Sequence, residues 1–218
     1  MAGSRNCYIA CALLLAAWPA CATVLMPGQG DSGPSSGYPL DQVFVYNFNT
    51  MGAVDGNCGP VSSETTCQFT QVVIADPNNT FCPNCLDFAF VVELNSIASY
   101  LITQLTLGLF AGFSTDVAYP PGLIPAGIDP TSGGRSADGQ DILYYFPTGS
   151  TIGAGQGSQV LIVETNATNY NNLGTLNLQD SAGDSTTVSG LYSPASVPEP
   201  STTLLVSLGI LLVGFRRK

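Results

Sequence analysis

The chain has no histidine and few cationic residues: five lysines and arginines stand against fifteen aspartates and glutamates. Between residues 23 and 196 the imbalance is stronger, because fourteen acidic residues and a single basic one, Arg135, give a formal charge of −13. Without histidine, neither a Ser-His-Asp triad nor a Cys-His pair can be assembled, and the commonest zinc ligand is missing. A basic surface that follows phosphates cannot form, so we expect no nucleic-acid binding.

Tryptophan is nearly absent too, since the one tryptophan, Trp18, lies in an apolar N-terminal segment. A basic start and an apolar run over residues 8–18 precede a small-x-small cleavage site at residues 20–22. This order predicts a signal peptide over residues 1–22, cut after Ala22, and therefore export. The alternative is a lipoprotein acylated at Cys21, but Trp18 and Pro19 do not fit a lipobox.

A second apolar segment lies close to the C-terminus, where no charge occurs between Glu199 and Arg216. As a helix, residues 201–215 would span about 22 Å, short of the ~30 Å hydrocarbon core, so terminal cations must help to hold it. By the positive-inside rule those cations keep the C-terminus in the cytoplasm. A buried C-terminal helix is the alternative, but it does not account for the basic cluster. The expected transient membrane anchor comprises Leu204, Leu205, Leu208, Ile210, Leu211, Leu212, Phe215, Arg216, Arg217 and Lys218.

The residues Val197, Pro198, Glu199 and Pro200 stand directly before this anchor. A short Pro-rich motif, an apolar segment and a basic end, in that order over residues 198–218, resemble the PEP-CTERM sorting signal of Gram-negative bacteria. The resemblance implies cleavage near residues 198–200 by exosortase, an inner-membrane protease-transpeptidase. It also implies a destination in the outer envelope, at the cell surface or in the extracellular matrix, often with exopolysaccharide and biofilm material.

The rest of the chain is predicted to be one domain over residues 38–190. A flexible Gly/Pro/Ser-rich leader over residues 23–37 would precede it, and a stalk over residues 191–197 would follow it.

Within that domain the apolar residues mostly alternate with a period of two, which predicts strands and an all-β fold, a single β-sandwich or jelly-roll-like domain. Residues 95–110 could form a helix by length, but the placement of Thr103 and Thr106 favours a strand, with Leu101, Leu105, Leu107 and Leu109 on one face. Gly, Pro and Asn clusters predict turns, among them residues 132–134. The candidate strands are residues 42–48, 69–74, 86–94, 101–109, 142–146, 160–163, 176–178 and 186–188.

Four cysteines remain after the signal peptide: Cys58, Cys67, Cys82 and Cys85. An even number in an exported domain predicts disulfides, and we favour Cys58 with Cys67 and Cys82 with Cys85, because each pair closes a local loop. Two alternatives remain open. A thioredoxin-type site would need the CxxC to open a helix, and a four-thiolate zinc site would normally use two close pairs.

Acidic residues beside glycine turns suggest calcium as the one cofactor to consider. Asp138 with Asp141, and Asp180 with Asp184, flank such turns, but neither fits the twelve-residue EF-hand loop, and ordinary turn chemistry is the preferred interpretation.

A carboxylate-only glycosidase would need two acidic side chains roughly 5 to 10 Å apart. Its candidates are Glu64, Glu93 and Glu164 with an aspartate, and the tyrosines that could stack on sugars are Tyr100, Tyr119, Tyr144, Tyr145 and Tyr170.

The sequence therefore predicts an exported structural or binding protein of the surface or matrix, without catalytic activity. Its partners would be exosortase and the inner membrane during maturation and exopolysaccharide afterwards. The second hypothesis is a carbohydrate-binding or calcium-dependent adhesive domain, and the third is a glycosidase.

Overall fold

The computed structural model of this protein describes residues 25–31, 49–58, 66–95, 100–122 and 124–196. Within these ranges the chain forms strands and no helix, which confirms the all-β class. The strands are β1 (Gly30–Asp31), β2 (Asn49–Cys58), β3 (Cys67–Asp76), β4 (Cys85–Leu94), β5 (Ile102–Gly108), β6 (Thr115–Ala118), β7 (Ser132–Arg135), β8 (Ile142–Tyr145), β9 (Leu161–Thr165), β10 (Tyr170–Asp180) and β11 (Ser185–Pro194).

The strands form two sheets in which all neighbours pair antiparallel. Sheet I has the order β1-β7-β8-β5-β10-β11, and sheet II has the order β2-β3-β4-β9-β6. In sheet II the first three strands are consecutive in the chain, whereas β9 and β6 join the β4 edge from distant parts of the sequence.

Both sheets direct one apolar face toward a shared core. In β3, Cys67, Phe69 and Val73 are buried while Gln68 and Thr70 between them are exposed, as the alternating pattern predicts. Sheet I contributes side chains such as Leu105, Leu107, Leu176 and Leu178 to the same cluster. Two antiparallel sheets around one core are what the predicted sandwich requires, and the jelly-roll connectivity stays a prediction.

Tyr144 joins the two sheets near the middle of the core. It lies in β8 of sheet I and is fully buried, and its hydroxyl donates to the carbonyl oxygen of Ile162 in β9 of sheet II at 2.6 Å. Its ring meets those of Phe90 and Tyr119 edge to face, with centroids 5.7 and 6.3 Å apart. A buried hydroxyl without a partner would cost free energy of folding, so this hydrogen bond helps to set how the sheets sit on each other.

Most predicted strands are found where their periodicity places them. The runs over residues 69–74, 86–94, 142–146 and 160–163 overlap β3, β4, β8 and β9, and the two shortest runs lie inside β10 and β11. The run over residues 42–48 lies outside the described residues.

The segment over residues 95–110 contains strand β5, as predicted, but its face pattern differs from the prediction. Leu105 and Leu107 are buried, whereas Leu101 and Leu109 are 40% and 42% exposed. Gln104 pairs with Gln179 while Ile102 pairs with Asp180, so β5 has one extra residue and Ile102 takes the inward position. At the other end, a φ of 77° at Leu109 turns the chain away from the sheet.

The prediction of a turn over residues 132–134 is wrong, because these residues belong to strand β7. Gly133 faces the core, and a Cβ atom there would lie 2.7 Å from Cγ2 of Val117 in sheet II. The glycine therefore permits a close approach between the two sheets. Sequence alone does not distinguish this use of glycine from a turn.

Both predicted linkers are in part strands of the folded body. In the predicted leader, Leu25 is 2% exposed and donates its N–H to the carbonyl of Thr115, and β1 pairs with β7. In the predicted stalk, β11 continues to Pro194, and Leu191 is buried. Their small and polar residues form edge strands, which the Gly/Pro/Ser composition does not reveal.

Arg135, the one cation between residues 23 and 196, is used inside the fold. It is 8% exposed, and its guanidinium donates to the carbonyl oxygens of Gly139 at 2.9 Å, Phe110 at 3.1 Å and Leu25 at 3.4 Å. Burial lowers its pKa from the ordinary value, and the group remains charged at neutral pH. Arg135 therefore connects the N-terminal segment to two turns through hydrogen bonds, and little of its guanidinium is exposed to solvent.

The structure contains the two disulfides favoured from the sequence. Cys58 and Cys67 are direct cross-strand partners with Cα atoms 5.0 Å apart, and Cys82 and Cys85 have Cα atoms 5.3 Å apart. The two pairs lie at opposite ends of β3, roughly 30 Å apart, which is incompatible with a four-thiolate zinc site. The CxxC opens strand β4 and not a helix, so the thioredoxin-type arrangement is absent from this segment.

Replacing Cys58 and Cys67 together by serine should lower the free energy of unfolding by about 2–3 kcal/mol, because the disulfide closes a loop of ten residues including its cysteines. The matched double replacement of Cys82 and Cys85 should cost about 2 kcal/mol or less, because its loop is shorter. Urea denaturation followed by circular dichroism measures both losses. Reactive thiols in the unfolded, unreduced wild-type body, or a larger loss for the shorter loop, would contradict this prediction.

Candidate functional sites

Three carboxylates occupy neighbouring strand positions on the outer face of sheet II. Glu164 of β9 pairs with Asp87 of β4 on one side and with Asp116 of β6 on the other. Cross-strand partners have Cα atoms about 4.5–5.5 Å apart, so the three residues form one line, which we call the carboxylate row. All three are at least nine-tenths buried. Like charges directly opposite each other destabilise a sheet, so the row needs compensating contacts.

The loop from β3 to β4 supplies contacts at one end of the row. Asn79 is buried, and its side-chain amide donates to Oδ1 of Asp87 at 2.6 Å and to the carbonyl oxygen of Thr165 at 3.1 Å. The backbone N–H of Thr80 donates to Oε2 of Glu164 at 3.3 Å. Because the Cys82–Cys85 disulfide closes the same loop, covalent and hydrogen bonds together hold it at the carboxylates.

Glu164 titrates in an unusual environment. Burial raises the pKa of its carboxyl above the ordinary value and the charge of Asp76 adds to the rise, while hydrogen bonds from Thr80 act in the opposite direction. The folded protein therefore binds a proton at Glu164 more readily than the unfolded chain does. The carboxylate row was not predicted from the sequence, because its members are separated by long stretches of chain and meet only through the order β4-β9-β6.

Of the predicted glycosidase residues, the structure places Glu164 beside the aspartates Asp87 and Asp116 and keeps Glu93 apart from them. Glu93 is exposed near the end of β4, six residues along that strand from Asp87, which is the partner of Glu164. That separation corresponds to roughly 20 Å, twice the largest spacing used by glycosidases. Glu64 lies outside the described residues.

In the turn over residues 138–141, the carboxylate of Asp138 accepts hydrogen bonds from neighbouring residues of the chain. Oδ1 of Asp138 accepts from the hydroxyl of Ser136 at 2.6 Å and from the N–H of Gln140 at 3.1 Å, and both bonds lower the pKa of Asp138. Burial raises the pKa of Asp141, and the charge of Asp138 adds to that rise.

The turn over residues 180–184 is built in the same way, with Oδ1 of Asp180 accepting from the N–H groups of Ala182 at 2.9 Å and Asp184 at 3.0 Å. The two turns flank opposite ends of β5, because Ile142 pairs with Leu107 and Asp180 pairs with Ile102. Both contain ordinary aspartate-capped turns. In the described part of the chain, no cluster of three or more acidic or cysteine side chains has a geometry that could hold a metal ion.

The tyrosines considered for sugar stacking divide between the core and the surface. Tyr119 and Tyr144 are buried at 1% and 0% exposure, so the prediction that they could form a platform is wrong. Tyr100 and Tyr145 are exposed. Tyr170 is half-buried, stacks edge to face on Tyr192 and donates its hydroxyl to the carbonyl of Met51.

Replacing Glu164 by glutamine should stabilise the protein above neutral pH. In the wild type, a pKa raised on folding makes this group cost stability at pH 8, and the cost disappears as the pH falls below its folded pKa toward the unfolded value. The glutamine is neutral throughout and can still accept from Thr80 and donate toward Asp87 or Asp116. The stability difference between variant and wild type, from urea unfolding at pH 8, 7, 6 and 5, should therefore shrink as the pH falls.

Glu93→Gln is the matched control, because this glutamate is exposed on the same face of sheet II; its effect should stay within about 0.5 kcal/mol. A Glu164→Gln protein that is less stable than wild type at pH 8, with a difference independent of pH, would show that the charged form of Glu164 is needed.

The predicted sorting motif and membrane anchor follow the last described residue, Ser196. Both they and the predicted signal peptide lie outside the described residues. None of the described residues belongs to a helix of the length and apolarity needed to cross a membrane.

Comparison with known proteins identifies the tail alone. Residues 196–218 match the family model described as the PEP-CTERM protein-sorting motif, which confirms the resemblance seen in the sequence. No curated protein and no solved structure matches the chain. The chain thus carries a PEP-CTERM sorting motif directly after the last strand of a two-sheet body that no matching family describes.

Proposed function

We propose that this protein is an exported structural or binding component of the outer envelope, cell surface or extracellular matrix, released from its membrane precursor by exosortase. The observation that carries the proposal is the sorting motif at residues 196–218. Export through the inner membrane and transient anchoring there follow from such a signal, and exosortase is the processing partner that it implies.

The chemistry of the body supports an extracytoplasmic site of action. Its two disulfides favour an oxidising compartment, and its excess of acidic residues favours solubility outside the cell. The predicted signal peptide over residues 1–22 supplies the start of the same route.

The proposed role is non-enzymatic and requires no cofactor, with exopolysaccharide or biofilm material as the partner. Two observations support this role. The buried carboxylate of Glu164 accepts a hydrogen bond from the N–H of Thr80. Asp138 and Asp180 each accept hydrogen bonds from residues of their own turns. The calcium-dependent adhesive hypothesis places calcium at these same two turns. Calorimetric titration of the mature body with calcium tests the adhesive hypothesis. Polysaccharide cleavage by the wild type that is lost in a Glu164→Gln variant would favour the glycosidase hypothesis. Neither result is expected for the proposed role.

The motif is tested by replacing Glu199 with glutamine and both Pro198 and Pro200 with alanine in a host that has exosortase. Because the enzyme would no longer recognise the tail, we expect an uncut precursor that stays in the inner-membrane fraction. Mass spectrometry of the terminal peptides and cell fractionation measure this. The wild type should begin at Thr23 and end near residues 198–200.

A variant with Ser201, Thr202 and Thr203 replaced by alanine is the matched control, because it changes the same number of neighbouring positions outside the motif and should mature normally. If the triple variant were processed and released like the wild type, the sorting role of these residues would be ruled out.

A further inference from the structure

The outer face of sheet I differs from the rest of the body because the outward-facing residues of its strands β5, β8, β10 and β11 carry no charge. Residues that alternate with the core positions of β5, β8, β10 and β11 point away from sheet II and are half-buried or exposed. We call this surface the neutral face; its side chains are Gln104, Thr106, Leu143, Tyr145, Thr175, Asn177, Gln179, Ser185, Thr187 and Ser189. In a body with fourteen acidic residues and one basic residue, this broad uncharged surface is unusual.

The neutral face is organised in rows that cross the strands. Register pairs place Ser132, Tyr145, Gln104, Gln179 and Ser185 side by side on five adjacent strands. Neighbouring strands lie about 4.8 Å apart, which is close to the length of one pyranose unit in an extended polysaccharide. A chain laid along this row would therefore meet a new hydrogen-bonding side chain with nearly every sugar.

The second row is Gly134, Leu143, Thr106, Asn177 and Thr187. Two hydrogen bonds hold the amides of the face in place: Gln104 Nε2 donates to Thr106 Oγ1 at 3.0 Å, and Asn177 Nδ2 donates to Thr187 Oγ1 at 2.9 Å. Each bond uses one of two N–H groups, and an amide also has a carbonyl oxygen acceptor. These side chains are thus pre-oriented and can both donate to and accept from hydroxyl groups.

A shallow groove of about 330 Å³ extends the face toward β7 and β1, lined by residues including Gly30, Gly134, Ser132, Leu143 and Tyr145; Arg135, which is 8% exposed, also borders it. Because the two glycines have no side chains, the floor of the groove is backbone, and the ring of Tyr145 stands at its side. Tyr145 is 39% exposed, whereas Tyr119 and Tyr144 are core residues. An exposed aromatic ring beside polar groups can pack against the apolar C–H face of a sugar ring.

We propose that the neutral face binds an extended, neutral polysaccharide, with Tyr145 stacking on one sugar and Gln104 and Gln179 hydrogen-bonding the hydroxyls of the next ones. This inference rests on the proposed surface function and adds its ligand class and site. Charge selects against anionic polymers, because Asp141 and Asp184 lie in the turns at opposite ends of the face and the only cation of the body is buried in the fold. A neutral polyhydroxylated chain needs no counter-charge.

The test uses the mature body in affinity gel electrophoresis with dextran, soluble cellulose derivatives without charge, and mannan as neutral probes, and alginate as the anionic probe. The wild type should be retarded by at least one neutral polymer and not by alginate. Tyr145→Ala should bind about tenfold more weakly or worse, the loss typical of an aromatic anchor, and the double variant Gln104→Ala, Gln179→Ala should lose a comparable amount.

Met51→Ala is the control, because this large side chain is 51% exposed but belongs to β2 of sheet II, outside the rows, and the variant should bind like the wild type. Circular dichroism and urea unfolding establish that each variant is folded. Binding to none of the neutral polymers, stronger binding to alginate, or unchanged binding by both face variants would overturn the inference. It is also overturned if the face variants instead abolish self-association in sedimentation experiments.

Failure of this inference is distinguishable from failure of the proposed function. If terminal peptides and fractionation show a processed surface protein that binds no neutral polymer, only the polysaccharide site is wrong. If the precursor is never processed or exported, the proposed function fails whatever the purified body binds.

Discussion

The hydrogen bond from Tyr144 to the carbonyl oxygen of Ile162 connects the two sheets through the middle of their shared core. Its hydroxyl has no access to water, so the bond is retained only if β8 and β9 keep their relative position. The rings of Phe90 and Tyr119 pack against the same side chain and restrict it further. With the inner faces fixed in this way, the two outer faces are free to differ in chemistry.

The outer faces do differ. On sheet II, a second apolar cluster around Ala89, Ala118 and Ile162 adjoins the carboxylate row, and Gln159 hydrogen-bonds Ile124 and Gly127 beside it. The carboxylate row is therefore buried in this part of the face, whereas Glu93, toward the end of β4, is exposed. On sheet I the outward side chains are neutral and reach solvent, and the acidic residues are in the turns. The two outer faces of the body thus differ: sheet II has a row of buried carboxylates, and sheet I has hydroxyl and amide side chains that reach solvent.

Local patterns were sufficient to predict the class of fold and several strands, because burial of one face imposes a period of two on strands such as β3. They failed where the chain departs from that rule: Gly133 serves a close approach to Val117, and one extra residue in β5 reverses the face of Ile102. The cysteine pairs were predictable because their partners are close in sequence. The carboxylate row was not, because Asp87, Asp116 and Glu164 meet only after non-local strand pairing.

The last strand ends only a short distance before the sorting motif. Pro194 closes β11, and the N–H of Ala195 still donates to the carbonyl of Asn169 at 2.9 Å. A fully extended chain covers at most about 3.6 Å per residue, so Pro198 lies within roughly 15 Å of the end of the strand. Under the proposed processing, a membrane-held precursor would keep its folded body close to the bilayer, and the protease would have to reach a cleavage site beside that body. Steric access to the site, and not the length of a tether, would then set the rate of release.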